Sequence, residues 1–164
     1  MHELTLFTDG SVNTQSKIGY GAYLLVAEPD LPFAQLQSQV QIKRFEQTSS
    51  TKLELQTVLW ALSEIQPLNR PLTLYTDSQN LISLPGRRQR LEQNDYRSKQ
   101  NRRLNNYLLY QEFYRLTDQL DCRLVKVSGH QPTRQKDAIA KLFTLVDRAS
   151  RQALRKTNCD EHDI

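Results

Sequence analysis

Two similar segments constrain most strongly how this chain of 164 residues can fold. Residues 4–11 have the sequence LTLFTDGS, and residues 72–79 have the sequence LTLYTDSQ. Each begins with a short apolar run typical of a β-strand and then places an aspartate, Asp9 or Asp77, where the strand is expected to end. We therefore expect two strands of one sheet whose aspartates occupy matching positions.

Matching positions at two strand ends would bring the carboxylates of Asp9 and Asp77 together. In open α/β sheets, ligands collect outside the carboxyl ends of the strands. Neighbouring carboxylates repel each other unless a cation or a proton neutralises them. A single Asp-Gly pair ordinarily caps a turn, but the repeated context favours half of a metal site.

The composition indicates one globular domain. Hydrophobic residues make up 38% and charged residues 24% of the chain, and no apolar run is long enough to span a membrane. The first strand begins so close to residue 1 that we expect no signal peptide. Cys122 and Cys159 form neither a disulfide framework nor a zinc motif, which favours a reducing cytoplasm. We expect a single domain over residues 1–155 and a polar tail over residues 156–164.

The distribution of charge favours a polyanionic partner. The net charge is +4, although residues 1–85 carry five basic and eight acidic side chains. Residues 86–103 carry seven basic and two acidic side chains, and residues 123–156 carry nine basic and two acidic ones. Basic segments beside an acidic cluster suit a nucleic acid held near a metal site. For either segment alone, a solvated helix face is an equally good explanation.

Hydrophobic periodicity predicts an α/β fold with the element order βββ-α-β-α-α-β-α. We expect antiparallel strands over residues 4–8, 18–26 and 37–45, followed by helical crossovers to parallel strands over residues 72–76 and 122–127. A turn is expected at Asp9-Gly10-Ser11, and Pro85-Gly86 is expected to end a short helix that begins at Ser78. Longer helices are predicted after the cap residues 48–51, over 104–116 and over 135–155. The pattern leaves residues 86–103 undecided between helix and loop.

Two further acidic residues lie on predicted helices. Thr51 and Glu54 have the spacing of a capping box, which is an ordinary structural role for a glutamate. Asp147 lies in the last helix, and its ordinary role would be a surface ion pair with Arg148 or Arg151. Neither acid indicates a functional site when it is taken alone.

Taken in order, the motifs resemble those of type 1 ribonuclease H. They are TDGS at the first strand, SSTKLEL at a helix start, YTDSQ at the fourth strand, GH in a loop and an aspartate in the last helix. The resemblance extends from Leu4 to Leu154 and implies the ribonuclease H-like fold, a five-stranded mixed sheet flanked by helices. It also implies a monomeric endonuclease that hydrolyses the RNA strand of RNA–DNA hybrids and leaves 5′-phosphate and 3′-hydroxyl ends.

The resemblance implies a catalytic site of four carboxylates that bind two Mg²⁺ ions, with Mn²⁺ as the alternative. The matching residues are Asp9, Glu54, Asp77 and Asp147. Asp9 would bridge both ions, Asp147 would help hold the ion that activates water, and the other two would hold the ion at the leaving oxygen. The residue types agree with this chemistry, because Mg²⁺ prefers hard oxygen ligands and two such ions can clamp an in-line phosphoryl displacement.

The resemblance also implies residues that contact the nucleic acid. His130 matches a catalytic loop histidine that assists proton movement and product release, and Gln79 matches a glutamine that touches the minor groove of the hybrid. Ser50 and Thr51 occupy positions where asparagines often recognise the RNA 2′-hydroxyl. Further contacts with the hybrid are expected from Gly10, Ser11, Asn13, Ser49, Arg87, Arg88, Arg102 and Arg103.

The last helix departs from the family pattern. The separation between His130 and Asp147 exceeds the usual spacing by about two helical turns, and Asp137 lies nearer the usual distance. Asp137 is therefore an alternative fourth ligand, although the small residues that follow Asp147 favour Asp147. Residues 86–103 also lack the tryptophans of well-known basic segments in this family, so that their grip on a hybrid would be mainly electrostatic.

Three other functions stay open at this point. The first is a related exonuclease or junction resolvase, although Asp9-Gly10-Ser11 stands where the exonucleases have Asp-x-Glu. The second is a catalytically silent nucleic-acid-binding module, which a missing carboxylate would favour. The third is a structural domain whose acids only cap helices and turns, in which case no divalent ion would stabilise the fold.

Overall fold

Five strands form one mixed sheet in the order β3-β2-β1-β4-β5. A computed structural model describes residues 3–28, 30–128 and 137–162, with side chains as far as residue 158. The strands are β1 (Leu4–Asn13), β2 (Ile18–Val26), β3 (Gln41–Phe45), β4 (Leu72–Thr76) and β5 (Cys122–Lys126). β1–β2 and β2–β3 are antiparallel, whereas β1–β4 and β4–β5 are parallel. The predicted five-stranded mixed sheet is confirmed.

Helices connect and cover the strands. They are α1 (Phe33–Ser38), α2 (Ser50–Ile65), α3 (Gln79–Gln93), α4 (Tyr107–Gln119) and α5 (Ala138–His162), with a short 3₁₀ helix (Gln66–Leu68) after α2. α1 was not predicted, because six residues with Leu36 as their one buried side chain show no periodicity. It occupies the start of the strand predicted from residue 37. No helix in the described part of the chain is long and apolar enough to cross a membrane.

A hydrophobic cluster covers each face of the sheet. Successive side chains of β1 point to opposite faces, so that Leu6 joins one cluster and Phe7 joins the other. The first cluster includes buried residues of α2, α3 and α4, and the second includes Val146 of α5. The carboxyl ends of β1 and β4 therefore lie between α5 on one side and the other long helices on the opposite side.

The turn predicted at Asp9-Gly10-Ser11 is wrong, because β1 continues through this segment and stays paired with β2. Gly10 lies opposite Gly21 in that pairing. A Cβ atom at Gly10 would lie 2.9 Å from Leu53 Cδ2, and one at Gly21 would lie 2.2 Å from Thr57 Oγ1. The glycines therefore allow α2 to approach the two strands closely. Close approach of another element, and not only a turn, can thus explain a glycine inside a strand.

The helix predicted to end at Pro85-Gly86 instead continues to Gln93 as α3. Proline removes one backbone donor, but Leu81 and Leu84 are buried in the core, and the Tyr114 hydroxyl donates to the Leu84 carbonyl at 2.7 Å. Tertiary packing thus keeps the helix intact across the proline. Beyond Gln93 the chain becomes irregular, so that residues 86–103 are helix followed by loop.

α5 begins directly after Asp137. The Asp137 carboxylate accepts a hydrogen bond from the backbone N–H of Ala140 at 2.8 Å, which satisfies one of the unpaired donors at the helix start. The predicted start at residue 135 and most of the loop predicted over residues 128–132 lie outside the described residues.

The end of α5 differs from the prediction. The helix was expected to end at Arg155 before a polar tail, but it continues to His162. Thr157 lies within hydrogen-bonding distance of the Tyr20 hydroxyl, and Asn158 Oδ1 accepts from Asn13 Nδ2 at 3.4 Å. These contacts with β1 and β2 hold the extension of the helix against the sheet.

Candidate active site

The pairing of β1 with β4 places Asp9 beside Asp77. In the parallel register, Phe7 lies opposite Tyr75. Asp9 lies two residues after Phe7, and Asp77 lies two residues after Tyr75. Asp9 lies inside β1 and is still paired with β2, whereas Asp77 lies just beyond the end of β4 and is exposed. The structure thus brings the two aspartates together at one edge of the β1–β4 pair.

Glu54 faces the same edge from the second turn of α2. Ser49 is the N-cap of α2, and its hydroxyl accepts from the Lys52 N–H at 3.3 Å. The capping box between Thr51 and Glu54 is therefore wrong. Glu54 Oε2 instead accepts a hydrogen bond from Ser78 Oγ at 2.6 Å. The resulting crevice, of about 10 Å³, is lined by Thr8, Asp9, Glu54, Thr57, Thr76, Asp77 and Leu81.

Asp147 reaches the cluster from the opposite face of the sheet. α5 packs across β1, and the carboxyl group of Asp147 is within hydrogen-bonding distance of that of Asp9. Asp147 Oδ1 also lies 3.0 Å from Arg151 Nε, in an ion pair that is partly exposed. Asp137 caps the start of the same helix and lies about 15 Å from Asp147 along the axis. The structure thus joins Asp147, rather than Asp137, to the other carboxylates.

The surroundings of Asp9 favour its protonated form. Burial raises the pKa of Asp9 from 3.8 to about 8, with further contributions from the negative charge of Asp77 and from the hydrogen bond with Asp147. Burial also raises the pKa of Glu54, and the charge of Asp77 adds to this, although the hydrogen bond from Ser78 opposes it. In the metal-free protein, a proton therefore relieves part of the repulsion within the cluster.

The donor chemistry of the cluster fits a hard divalent cation. All four side chains offer carboxylate oxygens, and the negative charge of Asp77 adds to the burial that raises the pKa of Asp9, so a cation beside Asp9 would favour its charged form. Among the described residues, however, no three acidic, histidine or cysteine side chains converge closely enough to hold a metal ion as they stand. Metal binding would therefore require these side chains to turn toward a common point.

The RNase H family matches residues 1–154 of the chain. The chain belongs to the RNase H family. No curated protein sequence matches it.

Solved structures with the RNase H fold superpose on the chain. The RNase H domain of prototype foamy virus has a TM-score of 0.72 at 16% identity, with 91% of this chain and 92% of that domain covered. A foamy viral protease-reverse transcriptase in complex with an RNA/DNA hybrid has a TM-score of 0.67 at 12% identity. In that case 92% of this chain covers 19% of the longer protein. These similarities show the RNase H fold that the sequence predicts.

Several residues that the family resemblance assigns to hybrid binding have internal roles in this RNase H chain. Ser11 Oγ lies 3.0 Å from the buried Ser150 Oγ, and Asn13 Oδ1 accepts from the backbone N–H of Gln15 at 2.9 Å. Gly10 and Ser49 also have structural roles, as the strand glycine beneath Leu53 and as the N-cap of α2. These four residues therefore shape the site, whereas their contact with a hybrid stays a prediction.

The remaining predicted contact residues near the carboxylates are exposed. Ser50 and Thr51 lie at the exposed start of α2, and Gln79 lies at the start of α3 beyond Asp77. Lys126 Nζ donates to Gln79 Oε1 at 2.9 Å. Sequence reasoning missed Lys126, because the contact depends on the parallel pairing of β4 with β5. His130 lies outside the described residues, and its role stays a prediction.

The four arginines predicted to bind a hybrid differ in their surroundings. Arg88 forms ion pairs with Glu92 and Asp118, and Arg103 Nη2 lies 2.9 Å from Asp95. Arg87 donates to Asn80 Oδ1 at 2.7 Å. Arg102 is exposed. Three of the four arginines are thus already engaged within the RNase H domain, which weakens their candidacy as phosphate contacts.

A groove of about 510 Å³ in the same segment offers other candidates. It is lined by Arg90, Leu91, Asn94, Arg97, Ser98, Lys99 and Asn101. The sequence showed that Arg90, Arg97 and Lys99 belong to a basic segment, but only the fold of the loop after α3 brings them around one groove.

Proposed function

We propose that this protein is an endoribonuclease that hydrolyses the RNA strand of RNA–DNA hybrids and leaves 5′-phosphate and 3′-hydroxyl ends. The proximity of Asp77 and Asp147 to Asp9, with Glu54 beside Asp77, is the observation that carries this proposal. Membership of the RNase H family supports it.

The position of each carboxylate suggests how the four would share two divalent cations. Both Asp77 and Asp147 act on the Asp9 carboxyl group, so Asp9 would be a ligand that the two ions share. Asp147 would complete one position, and Glu54 and Asp77 the other. When bound, Mg²⁺ or Mn²⁺ ions would supply Lewis-acid stabilisation of the charge that develops during phosphoryl displacement. Ser78 holds the Glu54 carboxylate toward the crevice through its hydroxyl.

The exposed polar residues around the crevice would recognise the substrate. Ser50 and Thr51 can donate to and accept from a 2′-hydroxyl, which is the group that distinguishes RNA from DNA. Lys126 is a donor only, so the Gln79 oxygen faces Lys126 and the Gln79 amide N–H groups remain available to acceptors in a minor groove.

The proposed activity can be tested on four substrates of one sequence. An RNA–DNA hybrid, a duplex DNA, a duplex RNA and the single strands would each be incubated with Mg²⁺ and with excess chelator, with each strand labelled in turn. We expect cleavage of the RNA strand of the hybrid in Mg²⁺ alone, and no cleavage by Asp9→Asn. Equal cleavage of duplex DNA, or full activity in chelator, would contradict the proposal.

A further inference from the structure

One face of α5 carries three arginines of the basic segment 123–156, none of which was predicted as an individual contact with a hybrid. Arg148, Arg151 and Arg155 recur at intervals of three and four residues and therefore share one side of the helix. We call these three residues the α5 arginine face. A surface groove of about 480 Å³ runs along it and is lined by Thr144, Asp147, Arg148, Arg151, Gln152 and Arg155.

The α5 arginine face has little negative charge to neutralise it. Arg151 pairs with Asp147, and that pair is partly exposed. Within the described part of the chain, neither Arg148 nor Arg155 forms an ion pair, and both are exposed. Arg88 and Arg103 of the segment 86–103 differ, because each has a carboxylate partner. The arginine face therefore presents positive charge to solvent.

The groove begins at the carboxylate cluster, because Asp147 belongs to both. Asp147 is within hydrogen-bonding distance of Asp9 and also lines the groove. α5 covers the face of the sheet opposite to α3 and the segment 86–103. The α5 arginine face therefore lies on the side of the cluster opposite to the segment 86–103.

We propose that the α5 arginine face binds the phosphate backbone of the nucleic acid on the α5 side of the cleavage site. This inference rests on the proposed function and extends it by a second contact surface. Arg148 and Arg155 are separated by a rise of about 10 Å along the helix, which equals the axial length of about three nucleotide pairs of a duplex at a rise of about 3.4 Å each. A backbone that passes the carboxylates would thus stay in contact with the arginines over several nucleotides.

The test compares two double variants that lose the same charge. Arg148→Gln/Arg155→Gln removes two arginines of the face and leaves Arg151, which contacts a proposed ligand, in place. Arg44→Gln/Arg115→Gln removes two exposed arginines from β3 and α4 and is the matched control. Circular dichroism would show that both variants fold. Affinity for an RNA–DNA hybrid would be measured in chelator over a range of salt concentrations.

We expect Arg148→Gln/Arg155→Gln to flatten the slope of log Kobs against log salt by about two, and the control to leave the slope unchanged. The reason is that binding releases about one counterion fewer for each phosphate contact that is lost. In Mg²⁺, the first variant should raise KM and preserve kcat. Shortening the hybrid from the end that would reach the α5 arginine face should abolish the difference in affinity between the wild type and the first variant. Equal slopes for both variants would overturn the inference.

The same measurements separate this inference from the proposed function. Wild-type protein that binds and cleaves hybrids, together with equal slopes for the two variants, would overturn only the role of the α5 arginine face. Wild-type protein that neither binds nor cleaves a hybrid would overturn both.

Discussion

Asp9 and Asp77 lie beside each other because the parallel register of β1 and β4 gives them equivalent positions. The two strands differ beyond that point, since β1 continues along β2 while β4 ends. The end of β4 leaves an edge where Glu54 and Asp147 can approach Asp9 from opposite faces of the sheet. The repeated sequence around the two aspartates is thus the local cause of the acidic cluster.

The raised pKa of Asp9 predicts how the stability of the metal-free protein depends on pH. The pKa is about 8 in the folded chain, against an ordinary value of 3.8. Between these values the folded chain binds more protons than the unfolded chain, so the free energy of unfolding falls as pH rises from about 4 to about 8. Thermal unfolding in chelator across this range should show the fall in wild-type protein and a flatter profile in Asp9→Asn.

The control for this prediction is Asp137→Asn, which removes an acid far from the cluster and keeps a good N-cap. Its stability profile should follow that of the wild type. A profile of Asp9→Asn that is as steep as that of the wild type would show that the pH dependence arises elsewhere. A large loss of stability in Asp9→Asn at every pH would indicate a structural role for the aspartate.

A second prediction separates the two candidate fourth ligands. Asp147→Asn should lower turnover by several orders of magnitude, because it removes a carboxylate that contacts Asp9. Asp137→Ala should leave turnover nearly unchanged and cost about 1 kcal/mol of stability, because its carboxylate caps α5. Single-turnover cleavage of a hybrid and thermal unfolding measure the two effects. The reverse ranking of turnover would mean that Asp137 is the ligand.

The sequence predicted the strands and the positions of the acids because those signals are local. Apolar runs that stop at Asp9 and Asp77 identify two strand ends, and the period of the helices identifies α2 and α5. The errors at Gly10 and Pro85 have another origin, because both residues are ordinary signals for a chain break. Close packing of α2 on β1, and the burial of Leu84 beneath Tyr114, override those signals.

The sequence favoured Asp147 as the fourth ligand, because small residues follow it, and left Asp137 as an alternative, because its spacing is nearer the usual one. The contact of Asp147 with Asp9 could not be predicted, because it depends on how α5 packs across β1. In the same way, the sequence marked Arg87, Arg88, Arg102 and Arg103 only as members of a basic segment. Their partners, such as Asp118 for Arg88, come from distant parts of the chain.

A third prediction concerns the contact between Lys126 and Gln79. Lys126→Met keeps the aliphatic part of the side chain and removes the donor that fixes the Gln79 oxygen. Because both side chains are exposed, we expect a modest increase in KM for a hybrid, within about tenfold for one lost hydrogen bond, and an unchanged kcat. Arg123→Met on the same strand, where the side chain is also exposed, is the control. Equal KM values for the two variants would contradict a positioning role for Lys126.

The last prediction ranks the basic residues of the segment 86–103. Arg88 is held by Glu92 and Asp118, whereas Arg90 and Lys99 line the open groove after α3. Arg90→Gln/Lys99→Gln should therefore flatten the salt dependence of hybrid binding by about two in log–log slope. Arg87→Gln/Arg88→Gln removes the same charge but should mainly lower the melting temperature, because it breaks internal contacts with Asn80 and Asp118.

The two double variants have the same net charge, so a difference between them cannot come from long-range attraction alone. Titration of a labelled hybrid at several salt concentrations gives the slopes, and thermal unfolding gives the stabilities. If Arg87→Gln/Arg88→Gln flattens the salt dependence of hybrid affinity more than Arg90→Gln/Lys99→Gln does, a bound hybrid displaces the carboxylate partners of Arg88. The ion pairs of Arg88 with Glu92 and Asp118 would then exist only in the protein without a bound hybrid. The groove after α3 would in that case be exposed to solvent and would not contact the hybrid.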